Sequence, residues 1–231
     1  LTAESSPSQD ATYEYDGHGN QTARAVDAGD TTYFDYDARN NLSAIWTRDG
    51  STPPNYFGYD GLSYRTEIVD STGETSYTWD GLNIILERDD AGALQRRYTH
   101  GRTRIHGAFS LLELTDDGGD TFAYHLDEVG GVNNLTDTDA TIARTYDYSP
   151  FGRTLTDTGS TPNPFTAPAT YQASNDIPNL RLSPQRPYNP SAGRFAARDA
   201  MLPDSVYRYA TANPFSYVDP SGLNCEALEE A

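Results

Sequence analysis

Residues 31 to 36 read Thr-Thr-Tyr-Phe-Asp-Tyr and residues 75 to 79 read Thr-Ser-Tyr-Thr-Trp, with aromatic side chains alternating with polar ones. That period of two is the signature of a strand with one face buried. Gly, Pro, Asn or Asp interrupts the chain at close intervals throughout, so no stretch sustains the period of a long amphipathic helix. The pattern predicts an all-β fold with little helix. Only two short segments invite a helical turn: residues 205 to 210, shortly before Asn213-Pro214, and residues 225 to 231 at the end.

The breaks between strands repeat. YDGHGNQT (15 to 22), YDARNNLS (36 to 43), YDGLSYRT (59 to 66) and WDGLNIIL (79 to 86) each begin with an aromatic-Asp pair, at intervals of 21, 23 and 20 residues. A period of that size marks an array of like units. The Asp can fold its carboxylate back onto the amides that follow. Four residues after each aromatic stand Gly19, Asn40, Ser63 and Asn83, where left-handed backbone is expected; Ser63 fits it less well than Gly or Asn. These units read as β-hairpins in series, whose first strand, near Tyr13 and Tyr15, is an unpaired edge.

Composition narrows the picture. A chain of 231 residues can bury a sizeable core, yet only 36% of its residues are hydrophobic while Tyr supplies 17, so the core is expected to be aromatic. Acidic residues number 34 against 16 basic ones, all Arg, for a net charge of -18; with no basic run, nucleic-acid binding is not expected. Cys225 is the one cysteine, which leaves no internal disulfide framework and no Cys-based metal cluster. The apolar patches at 83 to 86 and 108 to 112 are far shorter than the ~20 residues of a membrane helix. The chain opens LTAESSPSQD, without Met or a charged-then-apolar leader, and reads as a fragment or processed piece.

Metal, cofactor and triad chemistry find little support. His18, His100, His106 and His125 lack metal-ligand spacing. Asp116-Asp117-Gly-Gly-Asp120 and Asp137-Thr-Asp139 lack the distal Glu of a calcium loop and read as solvated turns. Neither a Ser nor Cys225 has a His partner in a recognisable motif.

Two further stretches extend the array: RRYTHG at 96 to 101, and YHLDEVGGVNNLTDTDATIARTYDYSPFG from 124 to 152. The second, with its Tyr-His-x-Asp strand, Gly turn, Leu-Thr-Asp and closing Tyr-x-Tyr-x-Pro-Phe-Gly, resembles RHS-repeat (YD-repeat) proteins. Residues 153 to 182 are rich in Thr, Pro, Asn and Ser and read as an irregular connection. The run SPQRPYNPSAGRFAARDAMLPDSVYRYATANPFSYVDPSGL, 183 to 223, looks like the RHS repeat-associated core: Arg-x-Tyr-x-Pro, Gly-Arg-Phe, an Asp, Tyr-x-Tyr with Asn-Pro, and Val-Asp-Pro-x-Gly-Leu in order. The resemblance spans residues 11 to 223. It divides the chain into a lead-in (1–10), repeats (11–152), a connection (153–182), the core (183–223) and a remnant tail (224–231).

The resemblance implies a curved or spiralling shell of repeat hairpins, closed by the core, that encloses a variable C-terminal toxin or effector. Partners would be upstream repeats of the same polypeptide and that payload, in a secreted or cell-surface setting. Several members of the family, the C components of Tc toxin complexes among them, resemble aspartyl proteases that cut their own chain after the final Asp-Pro-x-Gly-Leu. Carried over, this makes Asp199 and Asp219 the carboxyl pair and Arg186 their guanidinium, with the cut between Leu223 and Asn224. Two carboxyls held close cannot both ionise readily, so one serves as acid and the other as base.

Departures and competing readings stand beside this. Ala200 follows Asp199 where the family has Pro, the segment from Asp199 to Asp219 is short, and Asp204 competes for the role of first carboxylate. Asp219, Pro220, Ser221 and Gly222 also suit a plain type I turn. Arg186 equally suits a plain ion pair or stacking on Tyr188. YD repeats occur in cell-surface proteins such as teneurins too, so the alternative function is an adhesion module without proteolysis, engaging a target-cell surface.

Overall fold

The structure, a computed structural model, describes residues 11–26, 31–50, 53–101, 111–167, 171–172, 180–183, 185–199, 207–219, 221–223 and 225–227. Fourteen antiparallel strands, from Ala11–Tyr15 to Thr154–Gly159, pair in strict sequence order, each with the next. The alternation seen in the sequence sets their faces. Phe34 lies opposite Ile45, Phe57 opposite Ile68, Tyr98 opposite Leu114 and Tyr124 opposite Leu135, all buried in one cluster. Each such side chain, moved from water into the cluster, contributes about 1.5–3 kcal/mol. On the other face Tyr56 and Leu112 remain half exposed.

The turns show why the Asp recurs. Asp16 Oδ1 accepts the amides of His18 (2.9 Å) and Asn20 (2.8 Å), while the Gly19 amide donates to the Asp16 carbonyl. Asp37 takes Arg39 and Asn41, and Asp60 takes Leu62 and Tyr64, in the same way. Gly19, Asn40 and Ser63 all have positive φ, followed by a register shift on re-entering the ladder. This is a type I turn closed by a left-handed bulge residue. Ser63 therefore adopts the strained conformation despite its side chain, and Asn83 does not: the fourth unit turns more tightly through Gly81, leaving Asn83 paired with Asp80. The opposite edge of the sheet uses the same device at Asp89, Asp116 and Asp137, although no aromatic precedes them.

Three expectations need correction. Thr154–Gly159, assigned to an irregular connection, is the fourteenth strand, paired with Ile142–Tyr148. Residues 207 to 209 do not form a helix; Arg208 bridges to Arg194, and the helical turn comes later, as a 3-10 segment at Ala210–Ala212. Glu226–Ala227 is a strand that pairs with Tyr217–Val218 rather than a terminal helical turn. In each case backbone pairing with another segment outweighs weak local preference.

After the sheet the chain folds back over its buried face. Asn163 accepts from Tyr124 Oη (2.7 Å) and donates to Tyr146 Oη (3.1 Å), and Phe165 packs edge-on against Tyr98, ring centroids 5.0 Å apart. Tyr98 in turn donates to Glu87, which is fully buried and paired with Arg96 at 2.6 Å. A small four-stranded sheet then begins, Tyr171–Gln172, Arg181–Leu182, Pro187–Asn189 and Arg194–Phe195, and Tyr188, Phe195, Tyr209 and Ala210 make a second cluster against Phe151.

This second unit touches both ends of the large sheet. The Gln21 amide, at the first turn, donates to Ala196 O at 2.8 Å, while Tyr188 Oη donates to Phe151 O, at the last turn, at 2.7 Å. Flat, fourteen strands would span about 60 Å at ~4.8 Å each. Tyr188 and Ala196 are eight residues apart in one small hairpin, so the sheet must curl until its two ends approach the same unit.

The turn carboxylates set a pH limit and a mutational one. Burial pushes the Asp37 carboxyl up, but hydrogen bonds from Asn41 and Arg39 outweigh it and hold it below its ordinary 3.8; Asp16 is lowered likewise by Asn20 and His18 against its own burial. A carboxyl lowered on folding stabilises above its unfolded value and loses that contribution as pH falls through the folded one. Urea midpoints should therefore hold near neutrality and drop as pH falls below 3.8. Asp37→Ala, which strips two amides of their acceptor, should cost about 1 kcal/mol in the same measurement at neutral pH.

Candidate active site

Arg186 lies between two short strands of the second unit, held at its backbone by Ser183: its amide donates to Ser183 Oγ (3.1 Å) and its carbonyl accepts that hydroxyl (2.8 Å). Its side chain is driven inward, with the guanidinium carbon 3.7 Å from the centre of the Phe195 ring. Stacking is thus on Phe195, not on Tyr188, whose ring packs against Phe195 and Tyr209. Cation-π contact of this kind strengthens where water is excluded.

Both sequence-predicted aspartates meet this guanidinium. Arg186 Nη2 lies 3.0 Å from Asp199 Oδ2 and 3.2 Å from Asp219 Oδ2, and all three residues are at most 4% exposed. Charges at that depth are costly to desolvate, and the shared guanidinium offsets that cost for both carboxyls. Burial pulls Arg186 below its ordinary value while Asp199 and Asp219 work against it. It remains a cation at any physiological pH.

The final turn is tied into the same cluster. The Gly222 amide donates to Asp219 Oδ1 at 2.8 Å, the Gly222 carbonyl accepts from Arg186 Nε, and the Leu223 amide donates to Ser221 Oγ at 3.1 Å. The Gln185 amide holds Ser221 O at 3.1 Å. Asp219 therefore serves its turn with one oxygen and Arg186 with the other, so the plain-turn reading and the charged-cluster reading are both embodied in one carboxyl. Gly222 has φ of +80°, and a Cβ there would overlap Ser183 Oγ. Leu223 borders a cavity of about 400 Å³ that Arg186 and Asp199 also line, together with Asn20 and Asn40 from the repeat turns.

Asn224, the far side of the expected junction, and Asp204, the competing carboxylate, lie outside the described residues, as does His106. His18 is exposed, His100 Nε2 meets Ile84 O and His125 Nε2 meets Thr136 Oγ1. Burial, with Asp219 nearby, pushes the Cys225 thiol up, which opposes the thiolate a nucleophile needs. Sequence reasoning missed Ser183, Phe195 and the repeat turns as parts of this site. A Gly after Asp-Pro-Ser was visible, but a type I turn accounts for it without any neighbour.

No protein-family model matches the chain. It is 27% identical over 243 residues to double-stranded DNA deaminase toxin A of Burkholderia cenocepacia, covering 93% of this chain and 17% of that protein. It is 28% identical over 225 residues to the tRNA3(Ser)-specific nuclease WapA of Bacillus spizizenii, covering 92% of this chain and 9% of that protein. Among solved structures it resembles a TcdB2-TccC3-Cdc42 crystal structure (TM-score 0.67, 17% identity, 91% of this chain and 11% of that one). A Photorhabdus luminescens Tc holotoxin pore gives a TM-score of 0.62 at 16% identity, over 96% of this chain and 13% of that one. The chain spans a small part of each of these proteins, has the RHS-like all-β fold of the Tc toxin structures, and has a DNA deaminase toxin and a tRNA nuclease among its sequence relatives.

Proposed function

We propose that this chain is the C-terminal part of an RHS-repeat shell that encloses and presents a C-terminal toxin, and that it cuts itself once between Leu223 and Asn224. Residues 11–159 supply the repeat wall, 183–223 the core, and 224–231 the start of what is released. The observation that carries the cleavage reading is the buried contact of Asp199 and Asp219 with one guanidinium, beside the Gly222-Leu223 segment. A turn needing only shape would have no cause to bury three charges, each costly to desolvate.

Chemically, the ionised member of the Asp199-Asp219 pair takes a proton from water as its oxygen adds to the Leu223 carbonyl carbon. The protonated member gives its proton to the amide nitrogen of residue 224, and the C–N bond breaks to leave a carboxyl on Leu223 and an amine on Asn224. Arg186 touches the Gly222 carbonyl and both carboxyls, so it holds the chain and the acids in one frame. A second reading, adhesion to a target-cell surface, draws on the exposed apolar side chains Tyr56, Leu62, Leu112 and Ile142. Binding of the intact chain to cells, lost on Leu112→Glu and Ile142→Glu, would favour it.

A reporter domain fused after Ala231 should yield two fragments on expression, with Asn224 as the new N-terminus by Edman or mass analysis. An uncut chain at neutral and mildly acidic pH would remove the proteolysis. Asp219→Asn and Asp199→Asn should each abolish cutting, since one member of the acid-base pair is gone; persistence in both places the chemistry elsewhere. Gly222→Ala should lower the urea midpoint by the equivalent of about 1–3 kcal/mol and stop cutting, because the new methyl displaces Ser183 from Arg186. A Gly222→Ala protein that cuts at the parent rate would show that the turn geometry is immaterial.

A further inference from the structure

The segment that delivers Asp199 is gripped by the first repeat turn. Ala196 lies three residues before Asp199, and its carbonyl accepts the Gln21 amide at 2.8 Å. The Ala196 amide donates to Pro187 O at 2.8 Å and the Phe195 amide to Tyr207 O at 2.9 Å, so the backbone here is held from three sides. Tyr207 closes the contact: its hydroxyl donates to Gly19 O at 2.8 Å, and its ring lies 5.3 Å from that of Tyr15. Gly19 admits this approach because it has no side chain. At φ of +85°, a Cβ there would stand 3.0 Å from Tyr207 Oη and 3.2 Å from Arg198 Cβ, on the residue next to Asp199.

Beyond the grip the same turns wall the cavity at Leu223. Asn20, only 2% exposed, is locked by Asp16 and donates to Asn40 Oδ1 at 2.9 Å, and both asparagines line the cavity with Arg186 and Asp199. Asp199 thus lies between two anchors, Arg186 on one side and the docked repeat turn on the other. Only Ala197 and Arg198 separate it from the Ala196 contact.

We infer that Tyr207, through its hydrogen bond to Gly19, is a positioning residue that sets Asp199 against Arg186 and Asp219. The core then becomes competent to cut only when the first repeat turn has docked. The inference rests on the self-cleavage proposed above and adds a licensing step to it: release of the downstream polypeptide follows assembly of the repeat wall. A core that cut before the wall had closed would free its cargo unenclosed, and a carboxylate placed by the wall itself prevents that order of events.

The test uses the full chain with the reporter after Ala231. Tyr207→Phe keeps the ring against Tyr15 and removes the one hydroxyl bonded to Gly19. It should slow cutting about threefold to tenfold, the effect of one lost positioning hydrogen bond. By hydrogen exchange the Gln21 amide should lose protection, while the Val132 and Leu135 amides, across the sheet, keep theirs. Gly19→Ala, which presses on Tyr207 and Arg198, should act in the same direction and serves as the second variant. Tyr124→Phe, which removes a hydroxyl bonded to Asn163 in the buried cluster of the large sheet, should leave the rate unchanged. If the parent cuts and both Tyr207→Phe and Gly19→Ala cut at its rate, the positioning role is overturned. Equal slowing by Tyr124→Phe also overturns it, because the effect would then be one of general stability. A parent that does not cut removes the self-cleavage itself, and the licensing step with it.

Discussion

Everything in this fold hangs on the contact of one small unit with both ends of a long sheet. Gln21 reaches Ala196 from the first turn, and Phe151 receives Tyr188 from the last, so fourteen strands that pair each with the next are drawn into a curve whose two ends meet the same unit. An open antiparallel sheet has no internal reason to stop or to bend to a set radius beyond its natural twist. The second unit supplies that reason, and the first repeat turn holds it at Ala196, three residues before Asp199. Architecture and candidate chemistry share one set of contacts.

The chain spends its acidic residues in two opposite environments. Asp16, Asp37 and Asp60 stay near water and turn their oxygens on backbone amides, an arrangement that needs no countercharge. Asp199, Asp219 and Glu87 are buried, and each has an Arg within 3.2 Å. Such pairs gain little net stability over apolar replacements, because desolvation offsets the attraction. Glu87 with Arg96 and Tyr98 braces the inner face of the sheet, whereas Arg186 holds two carboxyls beside a segment of extended turn. The second arrangement has more charge than packing requires.

Much of the local structure was legible. Alternating positions told which residues face the core, and the aromatic-Asp pairs marked hairpin turns, because an Asx-type turn depends on a side chain reaching amides two and four residues on. The opposite-edge stretches at Asp116 and Asp137 read as solvated turns and are turns, whereas the turn at Asp89 escaped notice since no aromatic announces it. The strand at Thr154–Gly159 escaped because Thr, Asp and Gly carry weak alternation, and its pairing with Ile142–Tyr148 supplies what the local pattern lacks. Asn83 misled for the opposite reason: it occupies the motif position, but a shorter loop through Gly81 had already reversed the chain.

For the candidate site, the types and order of residues came from the motif run between 183 and 223, while their meeting did not. Arg186 lies 13 residues before Asp199 and 33 before Asp219, separations over which spacing says nothing of distance. By itself the sequence determined the period, the faces and the turns, since those follow from backbone stereochemistry within a few neighbouring residues. The tertiary structure alone decided the curvature, the stacking of Arg186 on Phe195 and the docking of the first turn against Ala196. Those contacts join residues up to 188 positions apart, and their existence depends on the packing of the whole sheet rather than on any local preference.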